Sequence, residues 1–124
     1  MSEYPSHIWL GLFGPDAPDN YFVQEYVDAE TPQSQFGAEQ GQHSFDYDFV
    51  EISFPNDARP VRELVDGHSY SASYLDTVVQ KAASLGITEA NVFILASKDE
   101  FERPRTVTGP GYKLWYLGEF VCRG

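Results

Sequence analysis

Three carboxylates crowd one short stretch, S-F-D-Y-D-F-V-E-I-S-F at residues 44–54: Asp46, Asp48 and Glu51. Carboxylates this close together are the ligand type that hard cations such as Mg²⁺ and Ca²⁺ take, and His43 just upstream would extend the set toward a transition metal. The spacing does not complete an EF-hand loop, because the glycine and the terminal glutamate are not where that loop requires them. Zinc has less support still, since there is one cysteine, Cys122, and no H-E-x-x-H. Ser69, Ser71 and Ser73 follow His68, but sequence neighbours do not make a triad and there is no G-x-S-x-G elbow. Serines ahead of a helix are ordinarily caps. Cys122 in an apolar run is expected to be a packed thiol. No Walker A and no G-x-G-x-x-G follows any strand-like run. The expectation is a protein with no catalytic residues, no metal and no cofactor.

Recognition is the chemistry that remains. Asp46, Tyr47, Asp48 and Glu51 mix acid with aromatic, and tyrosine brings large contact area and a polar tip at low entropy cost. Two arrangements stay open here: an exposed docking tip, or Tyr47 in the core with Asp46 and Asp48 merely solvated. The charge distribution bears on the choice. Residues 1–58 carry eleven acids and no Lys or Arg, whereas residues 59–124 carry eight of each, so the whole formal charge of −11 sits in the first half. Like charges repel in the compact state, so this imbalance serves either solubility or a partner of opposite sign. Nucleic acid and anionic membrane both need a basic footprint and are unsuitable partners. A protein with a basic surface is suitable, and Asp28 and Glu30 join Asp46, Tyr47, Asp48 and Glu51 as candidate contacts. Two other possibilities stand beside it: a metal-dependent hydrolase built on Asp46, Asp48 and Glu51, and a DNA mimic with carboxylates spaced along one face.

The elements that must hold these residues follow from periodicity. Ser6–Phe13 is short, apolar and closed by Gly14-Pro15, which predicts a central strand. Gly11 within it points to a close approach or a bulge, and His7 before the apolar run is expected at the strand edge. Asp16 as N-cap and Pro18 in a first turn predict a short helix over Pro18–Tyr26. Ser34–Gly41 fits a second short helix or an ordered loop. In 44–54 the apolar parity reverses near Phe49–Val50, so the stretch bulges there or only its second half is strand. Val50–Phe54 is expected as a core strand with an acidic-aromatic tip at Asp46–Asp48.

Pro60–Val65 is expected to be a short helix stopped by Gly67. Ser73–Leu85 has the clearest helical face, through Tyr74, Leu75, Val78, Val79, Ala82 and Leu85, with Ser73 and Asp76 in a capping-box pattern. Ala90–Ser97 predicts a strand buried on both faces, and Leu114–Cys122 a final strand. The two are joined by a polar excursion over 98–112 and are expected to run antiparallel. The fold class that follows is α+β: a single domain spanning 1–124, with a mixed or antiparallel sheet of about four strands and the Ser73–Leu85 helix on one face. The single cysteine, the lack of a long apolar run and an N-terminus unlike a signal peptide fit a soluble cytoplasmic protein. Oligomeric state is not readable.

Several segments together resemble the immunity protein 22 family of bacterial polymorphic-toxin systems. They are Ile8-Trp9-Leu10-Gly11 with Phe13, Ser34-Gln35-Phe36, and Tyr47-Asp48-Phe49-Val50-Glu51. The series continues through Leu64-Val65-x-Gly67-x-Ser69-Tyr70-Ser71-x-Ser73-Tyr74, Asn91–Leu95 and Leu117-Gly118-x-Phe120, and covers nearly the whole chain. The resemblance implies a small intracellular inhibitor, without catalysis of its own, that binds a cognate toxin domain, a nuclease or another enzyme. It carries over no binding residues, so the candidates above rest on charge and aromatic placement alone.

Overall fold

The computed structural model describes residues 3–23, 25–26, 32–41, 50–55, 57–68 and 70–123. In chain order the elements are β1 (Glu3–Phe13), β2 (Glu25–Tyr26), β3 (Pro32–Gln33), α1 (Gln35–Glu39), β4 (Val50–Ser53), β5 (Arg59–Pro60) and α2 (Val61–Val65). They continue with α3 (Leu75–Ser84), β6 (Glu89–Ala90), β7 (Val92–Ser97), β8 (Val107–Gly109) and β9 (Tyr112–Arg123). Among the described residues the main sheet has five strands rather than about four, in the order β4-β7-β1-β9-β8, with every neighbouring pair antiparallel.

β1 is the central strand, as its apolar sequence predicts. Both β7 and β9 run antiparallel to it, on opposite sides. They are therefore parallel to each other and not adjacent, which corrects the expectation that they run antiparallel. The long excursion has room to cross β1 and to form β8, which pairs with β9 through Val107↔Leu114.

Alternation along β1 sends Ile8 and Leu10 to one face and Trp9 and Phe13 to the other. The first face is covered by α2 and α3, whose Val61, Leu64, Val65, Val78 and Ala82 pack on Ile8, Leu10, Phe93 and Leu95. Each Val or Leu fully buried there stabilises by roughly 1.5–3 kcal/mol, which holds helices this short in place. The second face is covered by α1 and irregular chain, and its core is aromatic: Trp9, Phe13, Tyr21, Phe36, Phe101 and Tyr112.

Three local expectations change. The helix predicted over Pro18–Tyr26 is a series of turns leading to β2, which pairs with β3. Pro15 and Pro18 withhold backbone donors, and Tyr21 is fully buried, so a tertiary anchor outweighs a weak helical pattern. The clear helix begins at Leu75 and follows a 3₁₀ turn over Ser71–Ser73. Ser73 does not cap it: its Oγ donates to Tyr70 O at 2.7 Å and accepts from Arg123 N at 3.0 Å. The strand predicted as core over Val50–Phe54 is the edge strand β4, with Val50 and Ile52 on the aromatic face. The parity change near Phe49 lies outside the described residues. A bulge does occur in β9, where pairing passes from Ile8↔Gly118 to Trp9↔Tyr116 and leaves Leu117 extra. Gly118 at φ 121° supplies the backbone that this requires.

Other expectations hold. Ser34–Gly41 contains helix α1, with Ser34 Oγ accepting from Gly37 N at 3.0 Å. Pro60 opens α2, and β7 is buried from Val92 to Ala96. Gly11 answers to close approach, not to a bulge, because a Cβ there would lie 2.9 Å from the Phe13 ring and 3.0 Å from Val92.

Candidate interaction surface

Of the six residues expected to meet a partner, Asp46, Tyr47, Asp48, Asp28 and Glu30 lie outside the described residues, and so does His43. Glu51 is described. Its place on β4 opposite Leu95 turns it to the helix-covered side, where Oε1 lies 3.2 Å from His68 Nδ1 with the Glu51 side chain 38% exposed. The His68 ring rests on Phe93 with centroids 4.5 Å apart.

Two residues on, Tyr70 takes left-handed backbone at φ 60°, ψ 20°, an outlier for a bulky side chain. Its carbonyl accepts from the Ser73 hydroxyl and amide, and its ring stacks on Tyr4 at 5.3 Å. The neighbouring Tyr4 phenol is the largest influence raising the Tyr70 pKa, and the Glu51 carboxylate also contributes. Glu51, His68, Tyr70 and Tyr4 thus form one acidic-aromatic patch at the N-terminal end of β1. Sequence reasoning named Glu51 as a candidate contact and did not name the other three. No periodicity announces a left-handed tyrosine, although the S-Y-S-x-S-Y run contains it. The buried neighbour Cys122 has its thiol pushed up by burial, with Sγ 3.6 Å from Ser6 Oγ.

A second acidic-aromatic feature lies at the other end of β1. A cleft of about 490 Å³ is lined by Phe13, residues 14–15 and 17–19, Phe54 and Asn91. Its floor is fixed by Asn91, whose Nδ2 donates to Phe13 O at 2.7 Å while Oδ1 accepts from Phe13 N at 2.8 Å. The side chain thereby continues the β1–β7 ladder beyond its last backbone pair. The loop over the cleft is tied down by Gly14 N donating to Gly111 O at 2.8 Å. Gly111 must be glycine there, because a Cβ would come within 2.8 Å of the backbone at Asp16–Ala17. Phe54 forms one wall and stays 46% exposed, although its ring meets Phe13 edge-on at 5.4 Å and Phe22 at 6.0 Å. Asp19 is the one charged residue among the described lining residues.

His7, expected at a strand edge, is buried within β1. Its Nε2–H donates to Phe101 O at 3.2 Å, and Nδ1 lies 2.7 Å from the Tyr116 hydroxyl, so both ring nitrogens are engaged. It floors an open groove lined also by Lys98, Arg103 and Glu119, in which Lys98 Nζ and Glu119 Oε1 are 3.4 Å apart. Among the described residues no three His, Cys, Asp or Glu side chains are grouped so as to hold a metal ion. No helix among them is long and apolar enough to cross a membrane.

Exposed aromatic and acidic side chains thus stand at both ends of the central strand. No curated protein and no solved structure matches the chain. A family model described as Immunity protein 22 does match, over residues 7–122, and the chain belongs to that family.

Proposed function

We propose that this protein is an immunity protein that acts in the cytoplasm as a single domain, binding a cognate bacterial toxin domain through its acidic, aromatic-bearing surface and so neutralising it. Family membership supplies the toxin as the partner. The observation that carries the mode of binding is the charge partition, eleven acids and no Lys or Arg before Arg59. A toxin that cuts nucleic acid suits this surface best, because its own substrate demands a basic face. The protein works by occupying that face, not by catalysis. Steering between opposite charges raises association rates by about 10–10³-fold at low salt, which suits an inhibitor that must reach its toxin before the toxin reaches its target.

The test is calorimetric titration of the protein with the product of the toxin-like reading frame just upstream of its gene, at two salt concentrations. Tight binding that weakens with salt, and weakens further in an Asp46→Ala, Asp48→Ala, Glu51→Gln variant, is the expected result. Binding indifferent both to salt and to these substitutions would remove the charge-driven mode, and no binding would remove the partner.

A further inference from the structure

We infer that the cleft between Phe13 and Phe54 receives an arginine side chain of the toxin partner. This rests on the proposed immunity function and names the contact through which part of it is exerted.

Four features define the occupant. The wall is aromatic: Phe54 presents nearly half its surface to solvent although it is braced edge-on by Phe13 and Phe22. A planar guanidinium stacks on such a face and is more weakly hydrated than an ammonium, so it leaves water more readily than lysine does. The charge is acidic only. Asp19 lines the cleft, Asp16 lies in the loop over it, and no cationic residue is among the described lining residues. The Asp19 carboxylate makes no hydrogen bond or ion pair with a described residue, so it can accept from a fork of N–H donors. The remaining lining is apolar or ring-like (Pro15, Ala17, Pro18), which suits the three-carbon stem. Finally, the site is built before anything binds. The Asn91 bridge to Phe13 and the Gly14–Gly111 bond fix floor and loop, so little ordering entropy is lost on association. An exposed aromatic in a preformed acidic cleft is the arrangement of an interface anchor.

The full chain, labelled with ¹⁵N, is titrated with N-acetyl-arginine amide and, separately, with N-acetyl-citrulline amide, which keeps the shape and loses the charge. Saturable amide shifts confined to Gly14, Asp19, Phe54 and Asn91 are expected with arginine, with citrulline weaker by about tenfold or more. Asp19→Asn and Phe54→Leu should each weaken arginine binding by about two- to fivefold or more. Phe54→Leu retains an apolar side chain against Phe13 and Phe22, and an unchanged melting curve certifies its fold. Equal shifts with citrulline, shifts scattered over the surface, or none would overturn the inference. The toxin separates the two levels. If it binds the native protein and is indifferent to Asp19→Asn and Phe54→Leu, the arginine cleft fails while the immunity function stands. If arginine seats in the cleft and the toxin does not bind, the cleft stands as an arginine site and the toxin reading fails.

Discussion

The two faces of the central sheet are built from different materials. The face under α2 and α3 is mainly aliphatic, and its cover needs no polar adhesive: two helices supply their own backbone hydrogen bonds and lay Val61, Leu64, Val65, Val78 and Ala82 on the strands. The opposite face is covered by a five-residue helix and irregular chain, which cannot satisfy its own backbone so simply. There the residues are aromatic, and several carry polar tips that tie cover to sheet. Trp9 Nε1–H donates to Gln40 Oε1 at 3.3 Å, and Arg105 N donates to the same oxygen at 2.6 Å. Glu39 accepts from Tyr21 at 2.6 Å and, through both oxygens, from Tyr112 at 2.6 and 2.8 Å. A helical cover can be held by apolar area alone, whereas a loop cover needs side chains that combine area with a directed hydrogen bond.

The largest effect should come from adjacent positions on β1 that face opposite ways. Trp9→Ala is expected to cost about 3–5 kcal/mol by urea denaturation, at or above the cost of Leu10→Ala. Trp9 loses its ring contacts with Phe36 and Phe101 at 5.4 and 5.2 Å, and its loss also removes one of the two donors to Gln40 Oε1. Gln40 already has a buried Nε2 without a partner, so a further loss falls on a group with little left to compensate. A smaller cost for Trp9→Ala than for Leu10→Ala would mean that the aromatic face is the weaker half.

Next comes the carboxylate clamp. Glu39→Ala leaves two tyrosine hydroxyls without their acceptor and should destabilise by about 1–3 kcal/mol. Glu39→Gln keeps an acceptor oxygen and should recover much of that. Equal losses in the two variants would assign the effect to helix packing instead of to the phenol contacts.

The same contrast explains how far the sequence could be read. The helix-covered face was legible because its residues recur with regular spacing: Val61, Leu64 and Val65 in α2, and Tyr74, Val78 and Ala82 around α3. The position of β1 followed from its continuous apolar run. The aromatic face has no such period. Tyr21 looks like part of a weak helix until its hydroxyl is seen to reach Glu39, eighteen residues away. His7 looks like an edge residue until Tyr116 and Phe101, more than ninety residues on, are found at its nitrogens. The Phe13–Phe54 cleft depends on a long-range pair of the same kind, Asn91 with Phe13. Phe54 was placed on a strand by parity, but only tertiary contact makes it the wall of a cleft. The crossing of β1 between β7 and β9 is likewise a matter of topology, to which strand patterns are blind.

Alkaline titration sharpens the comparison through proton linkage. Burial, then the Glu39 contact, pushes the Tyr112 phenol up from 10.0 to about 12, and burial with Glu39 pushes Tyr21 higher still. On the helix-covered face burial alone is the main cause for Tyr74. A phenol raised in the folded state keeps its proton above pH 10 while the unfolded chain gives it up. The native state then binds more protons, so stability is fully present below about pH 10 and falls as pH rises toward 12 and beyond, by about 1.4 kcal/mol per pH unit for each such tyrosine. Tyr21→Phe and Tyr112→Phe together should flatten the fall between pH 10 and 12 by about two such steps, and Tyr74→Phe by about one. Chemical denaturation at several alkaline pH values measures the slope, and no change in the double variant would mean that those phenols ionise as freely folded as unfolded.

The smallest effect belongs to the polar tie on the helix-covered side. Arg62 of α2 reaches Asp76 in the first turn of α3 at 3.0 Å, but the two side chains are 55% and 82% exposed. Water screens the pair, and holding two long side chains in one geometry costs entropy that offsets the attraction. Asp76 also stands near the positive end of the α3 dipole, a second favourable contact of a few tenths of a kcal/mol that its removal forfeits. Arg62→Ala breaks the pair and leaves the helix end untouched, whereas Asp76→Ala loses both. The expected costs are therefore about 0.5 kcal/mol or less for Arg62→Ala and slightly more for Asp76→Ala, with the first vanishing in 1 M salt. The Glu39 clamp, partly sheltered and fed by phenols inside an aromatic cluster, should keep most of its contribution in the same salt. An Arg62→Ala cost that approached the Glu39→Ala cost would show that the two helices do rely on a polar tie after all, and the distinction between the faces would reduce to one of shape.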